Sequence, residues 1–254
     1  MEVSVVIPNF NGIAFLDSVL ASLEGQTLNN FEVILVDNGS TDGSCSFVTA
    51  NYPWVHLIEL SENFGFCGAV NAGIRAAKAP YVLLLNNDTE VKEDFVEEML
   101  AAIRRHKNAF SCGARMVQYH DRDKLDDVGN YYCALGWSFA RGRGKDIHAY
   151  ETEDRIFSAC AGAAIYRKKI LEKIGYFDEE HFAYLEDTDI GYRARIYGYE
   201  NWYAPKAIVY HVGSGTSGSR YNQFKTRYSS RNNIYLIYKN MPLLQIILNL
   251  PFLV

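Results

Sequence analysis

Apolar positions along the chain fall into two alternating patterns. Runs of four to six apolar residues predict buried strands at Val3–Ile7, Phe31–Val36, Val55–Leu60, Tyr81–Leu85 and Phe110–Val117. Pro8 is expected to stop the first of these. Between them, apolar residues recur at helical spacing. Phe15, Leu16, Val19, Leu20 and Leu23 predict a helix over 14–23 closed by Gly25, and further helices are expected into Asn51, from the Gly-rich stretch Asn63–Gly73, and over Glu93–His106. Strand–helix alternation of this kind predicts a parallel sheet covered by helices.

The pattern breaks at 118–156, which is polar and rich in Asp, Arg, Tyr and Gly, including Arg141-Gly-Arg-Gly-Lys145. An irregular insertion is expected there, either a lid or acceptor loop or a solvated connection. Regularity returns with the apolar run Phe157–Tyr166, a short helix Lys168–Ile174 closed by Gly175, a helix that follows Phe182–Asp189 and runs through Tyr197 to a stop at Gly198, and two short strands, Glu200–Ala204 and Ala207–Tyr210. A helix over Tyr221–Lys239 follows. Pro242 to Val254 carries no charge but is shorter than the roughly 20 apolar residues of a membrane span. A helix lying in a membrane interface, a helix packed on the core and a chain cut mid-segment are the alternatives.

Composition narrows the classes. With 48% hydrophobic and 22% charged residues a globular core is expected. A net charge of -5 argues against general nucleic-acid binding. Cys45, Cys67, Cys112, Cys133 and Cys160 are widely spaced, without metal-knuckle spacing, and read as reduced thiols of a cytoplasmic protein. Residues 3–8 are too short, and lack the basic flank, for a signal peptide.

The candidate chemistry sits at element ends. Tyr81–Leu85 stops abruptly at Asn86-Asn87-Asp88-Thr89, where a parallel sheet binds its ligands. An ionised Asp there suits a hard divalent cation, Mg²⁺ or Mn²⁺. Asp37, the Glu186-Asp187 pair and His211 occupy similar positions. Each also has a plain structural reading as a cap, a helix-dipole charge or a satisfied polar group. Together they point to one face of loops.

Seven stretches, in order, resemble the family-2 inverting glycosyltransferases of GT-A fold. They are Val6–Asn11 (Val-Ile-Pro-Asn-Phe-Asn), Val36–Asp42 (Val-Asp-Asn-Gly-Ser-Thr-Asp), Asn63–Gly73, Leu84–Asp88 (Leu-Leu-Asn-Asn-Asp), Gly175–Glu179, Glu186–Asp189 (Glu-Asp-Thr-Asp) and His211–Ser214. Within that family the chain looks most like bacterial rhamnosyl- and galactofuranosyl-transferase-type enzymes of cell-surface polysaccharide assembly. The resemblance implies a Rossmann-like α/β single domain with a mostly parallel central sheet and a C-terminal helical extension. Residues 1–215 would be catalytic (1–117 binding nucleotide, 118–215 binding acceptor), and 216–254 would be a helical, membrane-proximal segment. It implies a UDP- or dTDP-sugar donor and a glycan or lipid-linked glycan acceptor. Peripheral contact with the inner face of the cell membrane and dimerisation through 216–254 are further expectations.

Residue by residue, the resemblance implies that Asp37 reads the pyrimidine N3–H, with Pro8 and Asn9 lining that pocket. Asn63, Asn71 and Arg75 would lie near the nucleotide, with Asn86 and Asn87 beside it. Asp88 and His211 would hold the cation. Asn86 stands where the family's metal motif has its first acid, which removes one charge. Asp187 matches the family's general base, with Glu186 in support. Arg220, Arg227 and Arg231 are candidates for the diphosphate or for a solvated helix face. Two other classes remain. A nucleotidyltransferase would need a basic, Gly-rich turn after the first strand, where this chain has Pro8-Asn9-Phe10-Asn11. A non-catalytic nucleotide-sugar-binding module is left open by Asn86 and opposed by Glu186-Asp187 and His211.

Overall fold

The computed structural model describes residues 1–213 and 222–253. Twelve strands and eight helices follow one another as β1 Val3–Asn9, α1 Ile13–Glu24, β2 Phe31–Asp37, α2 Ser44–Asn51, β3 His56–Glu59, α3 Gly65–Ala76, β4 Tyr81–Leu85, β5 Thr89–Val91, α4 Phe95–Arg105, β6 Ala109–Gln118, β7 Leu125–Asp127, β8 Asn130–Tyr132, β9 Ser138–Ala140, β10 Asp154–Ile156, β11 Ala163–Arg167, α5 Lys168–Ile174, α6 Glu186–Ile196, β12 Glu200–His211, α7 Gln223–Asn240 and α8 Leu243–Leu253. The main sheet runs β10-β12-β6-β11-β4-β1-β2-β3, with β5 on β12 and β7 on β6; β8 and β9 form a separate hairpin.

Strand alternation sends side chains to two cores. Val3, Val5 and Ile7 of β1 face Leu16, Val19 and Leu20 of α1 and Phe95, Val96 and Met99 of α4. Val6 faces the opposite way, onto Cys67, Val70 and Ile74 of α3. Contact there is so close that a Cβ on Gly73 would stand 2.3 Å from a Val6 methyl. All of β4 beyond Tyr81 is buried, as a strand covered on both faces must be.

Three expectations need correcting, while the mostly parallel central sheet is borne out. Pro8 does not end β1, which continues to Asn9 with Pro8 opposite Val36. The carbonyl of Asn9 accepts from Asn38 on the β2 side, so Pro8 is directed to the β4 side, where pairing ends at Val6–Leu84 and no N–H is needed. The sheet is mostly parallel, but β11 lies antiparallel to both β4 and β6. The two short strands after α6 are one strand, β12, with an irregularity between Ala204 and Ile208. Residues 118–156 hold four short strands and bury Asp126, Asp127, Asn130 and Arg141, so much of that stretch is built into the structure.

The C-terminal helix α7 lies on α6. Lys239 bonds Asp178 (2.6 Å) and Asp189 (3.1 Å), and Asn240 bonds Asp189 (2.7 Å). Burial works against the Asp178 charge, but the bonds from Lys239, the Glu180 amide and Tyr235 outweigh it and hold its pKa down to about 2. Among the described residues no helix is long and apolar enough to cross a membrane.

The packing at Gly73 gives a direct test. Gly73→Ala gains up to about 1 kcal/mol of helix propensity and loses about 1–3 kcal/mol to overpacking against Val6. The expected outcome is a lower urea midpoint for unfolding, read by fluorescence. An unchanged or higher midpoint would show that α3 can move away from β1.

Candidate active site

The site lies at the carboxyl ends of β1, β2, β4 and β12, which all stop on the same edge of the sheet. On one side of it, Asn9 is the hub. Its amide donates to Asp37 Oδ1 (2.9 Å) and its Oδ1 accepts from Asn87 (2.7 Å). Asp37 Oδ2 accepts from the Ser40 amide (2.9 Å). Both carboxylate oxygens are therefore engaged in the turn, and each retains a lone pair for a ligand N–H. Gly12 is required beside them, because a Cβ there would lie 2.1 Å from the Asn87 amide nitrogen. Pro8 is half-buried next to Asn9.

The Gly-rich loop is fastened to this network through Asn38. Its amide reaches Asn63 Oδ1 (2.9 Å) and the Gly65 carbonyl (3.0 Å), and its Oδ1 accepts from the Phe64 amide (3.0 Å). Asn38 was not singled out in the sequence; its place directly after Asp37 was the available signal. Asn71 and Arg75 lie on another face of α3. Asn71 bonds the Phe177 backbone in both directions (2.8 and 3.1 Å), and both residues reach Glu179 Oε1 (2.9 and 3.4 Å). They stitch α3 to the 175–179 segment and are not joined to the Asn9–Asp37–Asn87 network. Arg227 is exposed on α7. Arg231 bonds the Glu180 carbonyl and stacks on Tyr228. Arg220 and Ser214 lie outside the described residues.

At the second side, β5 and the end of β12 pair, with His211 opposite Thr89. This brings His211 Nε2 to 3.3 Å from Asp88 Oδ1. His211 Nδ1 meets Asp126 Oδ2 at 2.7 Å, and Arg143 stands 3.3 Å from Asp126 Oδ1. Burial alone would remove the charge from His211, but the two carboxylates outweigh it and raise its pKa to about 10. Asp126 is likewise held low against its burial, by His211 and Arg143. Asn86 turns elsewhere: Gly162 leaves room for its side chain, with a Cβ there falling 3.0 Å from the amide nitrogen.

Among the described residues no three His, Cys, Asp or Glu side chains form a complete metal cluster. Asp88 and His211 fit a hard or borderline cation as a partial set, the remaining positions being of the kind that phosphates and water fill. The imidazole must lose its Nε2 proton to serve.

The third part is the acid pair at the start of α6. Asp187 Oδ2 accepts from Asn130 (3.4 Å) and Oδ1 from the Thr188 amide (2.6 Å) and hydroxyl (3.2 Å). Burial raises the Asp187 carboxyl against these bonds. Glu186 is raised by burial first and by Asp187 next, and its Oε2 has no hydrogen-bond partner. Burial also pushes Asp127 well above the carboxylate range, against the bond from the Gly129 amide, with Asp187 and Asp126 adding to the rise. Sequence reasoning missed Asp126, Asp127 and Asn130. The only cue was Leu125-Asp-Asp-Val128, apolar residues flanking two acids inside a polar stretch.

The arrangement sets a polar pocket, an Asp–His pair that could hold a cation and a buried carboxylate at one end of the sheet. Residues 4–175 match the family described as Glycosyl transferase family 2. An N-acetylglucosaminyl-diphospho-decaprenol L-rhamnosyltransferase from Mycobacterium tuberculosis is 27% identical over 236 residues, covering 84% of this chain and 77% of that one. Among solved structures, GalNAc-T7 with UDP, GalNAc and Mn²⁺ superposes with a TM-score of 0.74 at 15% identity, over 94% of this chain and 48% of that one. S. aureus TarS gives 0.64 at 21% identity, over 95% and 40%. These two likenesses establish the fold, which is GT-A. The family match covers well over half of the chain, which therefore belongs to glycosyl transferase family 2 and is a glycosyltransferase.

Proposed function

We propose that the protein is an inverting transferase moving a sugar from a UDP- or dTDP-sugar to a hydroxyl of a glycan or lipid-linked glycan in cell-surface polysaccharide synthesis. The observation that carries the reading is the 126–130 segment. Asp126 holds His211 beside Asp88, and four residues later Asn130 reaches Asp187, so one short stretch ties the cation pair to the base.

In this reading Asp37, Asn9 and Pro8 receive the pyrimidine, whose N3–H donates to the Asp37 carboxylate. Asp88 and His211 would hold Mg²⁺ or Mn²⁺, which would supply positive charge to neutralise that of the leaving diphosphate. Asp187 accepts the proton of the acceptor hydroxyl as that oxygen bonds to the anomeric carbon and the bond to the diphosphate breaks. Attack is direct, so no second carboxylate is needed as nucleophile. Asn130 and Thr188 orient the Asp187 oxygens. Burial disfavours the charge on Glu186, and so does the neighbouring Asp187.

Helix α8 supports the lipid side. Leu243, Leu244, Ile247, Leu248, Leu250 and Phe252 are all exposed, and the helix carries no charge. We place this face in the headgroup boundary of a membrane, in keeping with the N-acetylglucosaminyl-diphospho-decaprenol for which the mycobacterial relative is named. Flotation with anionic liposomes is expected to carry the protein up and to leave a Leu244→Asp, Ile247→Asp variant at the bottom. Equal flotation would remove the membrane assignment.

Calorimetric titration with UDP and dTDP, each with and without Mn²⁺, tests the donor site. Binding of one nucleotide should depend on Mn²⁺ and weaken about tenfold or more, ~1.4 kcal/mol, in Asp88→Ala. Failure of both nucleotides to bind with Mn²⁺ present would return the binding-module reading for another ligand. The base has its own signature. Protonated Asp187 is inactive, so kcat falls as pH drops, and burial sets that limb above the ordinary carboxylate value. Asn130 stabilises the charged form, so Asn130→Ala should move the limb to higher pH. A limb unmoved by Asn130→Ala and normal turnover by Asp187→Asn would each contradict the assignment.

A further inference from the structure

Directly before Glu186-Asp187 the backbone is held in conformations that L-residues avoid. Phe182 has φ 61° and ψ −60°, Tyr184 has φ 71° and Leu185 φ 65°. The Ala183 amide donates to the His181 carbonyl at 2.7 Å, so Phe182 is the centre of a classical-handed γ-turn, a rare and strained form. Each such residue is strained and persists only where its surroundings over-determine it.

The over-determination comes from α7. Asn232 is fully buried, and its amide nitrogen lies 2.9 Å from the His181 carbonyl, 2.8 Å from that of Ala183 and 2.7 Å from that of Tyr184. Two N–H hydrogens are shared among three carbonyls that converge only because the loop is left-handed. On the other side, the Phe182 carbonyl accepts from the Cys67 amide (3.3 Å) at the start of α3, where Gly65 makes room; a Cβ there would sit 2.6 Å from that carbonyl. Helix α7 is fixed independently, a turn or two further on, by Lys239 and Asn240 on Asp189.

We propose that Asn232 is a positioning residue: by gathering the 181–184 carbonyls it holds the left-handed loop that presents Asp187 at the start of α6. Resting on the reading of Asp187 as base, this makes a residue 45 positions away, on the C-terminal helix, a requirement of the chemical step. Donor binding is not part of its work, since Asn9, Asp37, Asn87, Asp88 and His211 all lie on other elements. Relaxation of the loop moves Asp187 relative to the acceptor hydroxyl, and a displacement of about 1 Å is enough to cost about 100-fold in rate.

The test measures release of nucleoside diphosphate from UDP-glucose and dTDP-L-rhamnose, whichever the protein turns over, with UDP and dTDP binding by calorimetry. Asn232→Ala should lower kcat by about 10- to 100-fold, with KM and nucleotide affinity within about twofold of the native protein. Asn232→Ser, which keeps one donor, should recover part of the loss. Lys239→Met, which loosens the seat of α7 without touching the loop carbonyls, should lower the thermal midpoint and leave kcat nearly unchanged. Native kcat in Asn232→Ala, or an equal kcat loss in Lys239→Met, overturns the proposal. If Asn232→Ala does not fold, native kcat in Asn232→Ser overturns it. Asp187→Asn measured alongside separates the two readings: normal turnover there removes the base assignment, whereas an inactive Asp187→Asn with native kcat in Asn232→Ala removes the clamp alone.

Discussion

The molecule must gather acids at one end of its sheet without letting them repel each other apart. Asp88, Asp126, Asp127, Glu186 and Asp187 converge there, largely out of water. Like charges in a medium of low dielectric are expensive, and the protein meets the cost in two ways. Around Asp88 and Asp126 it supplies positive charge, His211 between them and Arg143 outside. Around Asp187 it withdraws charge instead, because burial favours protons on Asp127 and Glu186. In the proposed function, a divalent cation would sit at the first group and Asp187 would be the anionic base at the second, the charge pattern suited to transfer from a nucleoside diphosphate.

The sequence was most legible where physics is local. Strands covered on both faces read as apolar runs, and β1, β2, β4 and β6 were visible for that reason. Helices α1 and α4 were visible by their spacing. The hidden parts are those set by distant partners. β5, β7, β8, β9 and β10 are three residues each, too short for a period. The reversed direction of β11 is a property of its neighbours, and an apolar run has no arrow. Pro8 was misread because its effect depends on which side of β1 still has a partner.

The candidate site divides along the same line. Asp88, His211 and Asp187 stood at element ends, where the motif resemblance already put them. Asp126 and Asn130 lay in a polar stretch that composition makes look solvated, and their meaning appears only when β7 pairs with β6 and Asn130 comes against Ser158. Asn71 and Arg75 illustrate the converse. Their motif is intact, yet in the structure their side chains brace the 175–179 segment.

The antiparallel β11 has a consequence for how the chain is made. It lies between β4 and β6, although its sequence comes after both. A growing chain that has emitted β1 to β6 therefore carries one paired fragment, β3-β2-β1-β4, and a second part, β6, that has no strand partner yet. The first fragment, with α1 and α3, can consolidate early, since domains fold from the N-terminus during synthesis. The second waits for residues 163–167 to arrive as a keystone and then for β12 to supply His211. The Asn9–Asp37–Asn87 network can thus be finished well before Asp187 and His211 have emerged. Under the proposed function, an unfinished chain would hold at most the means to bind, with no means to transfer.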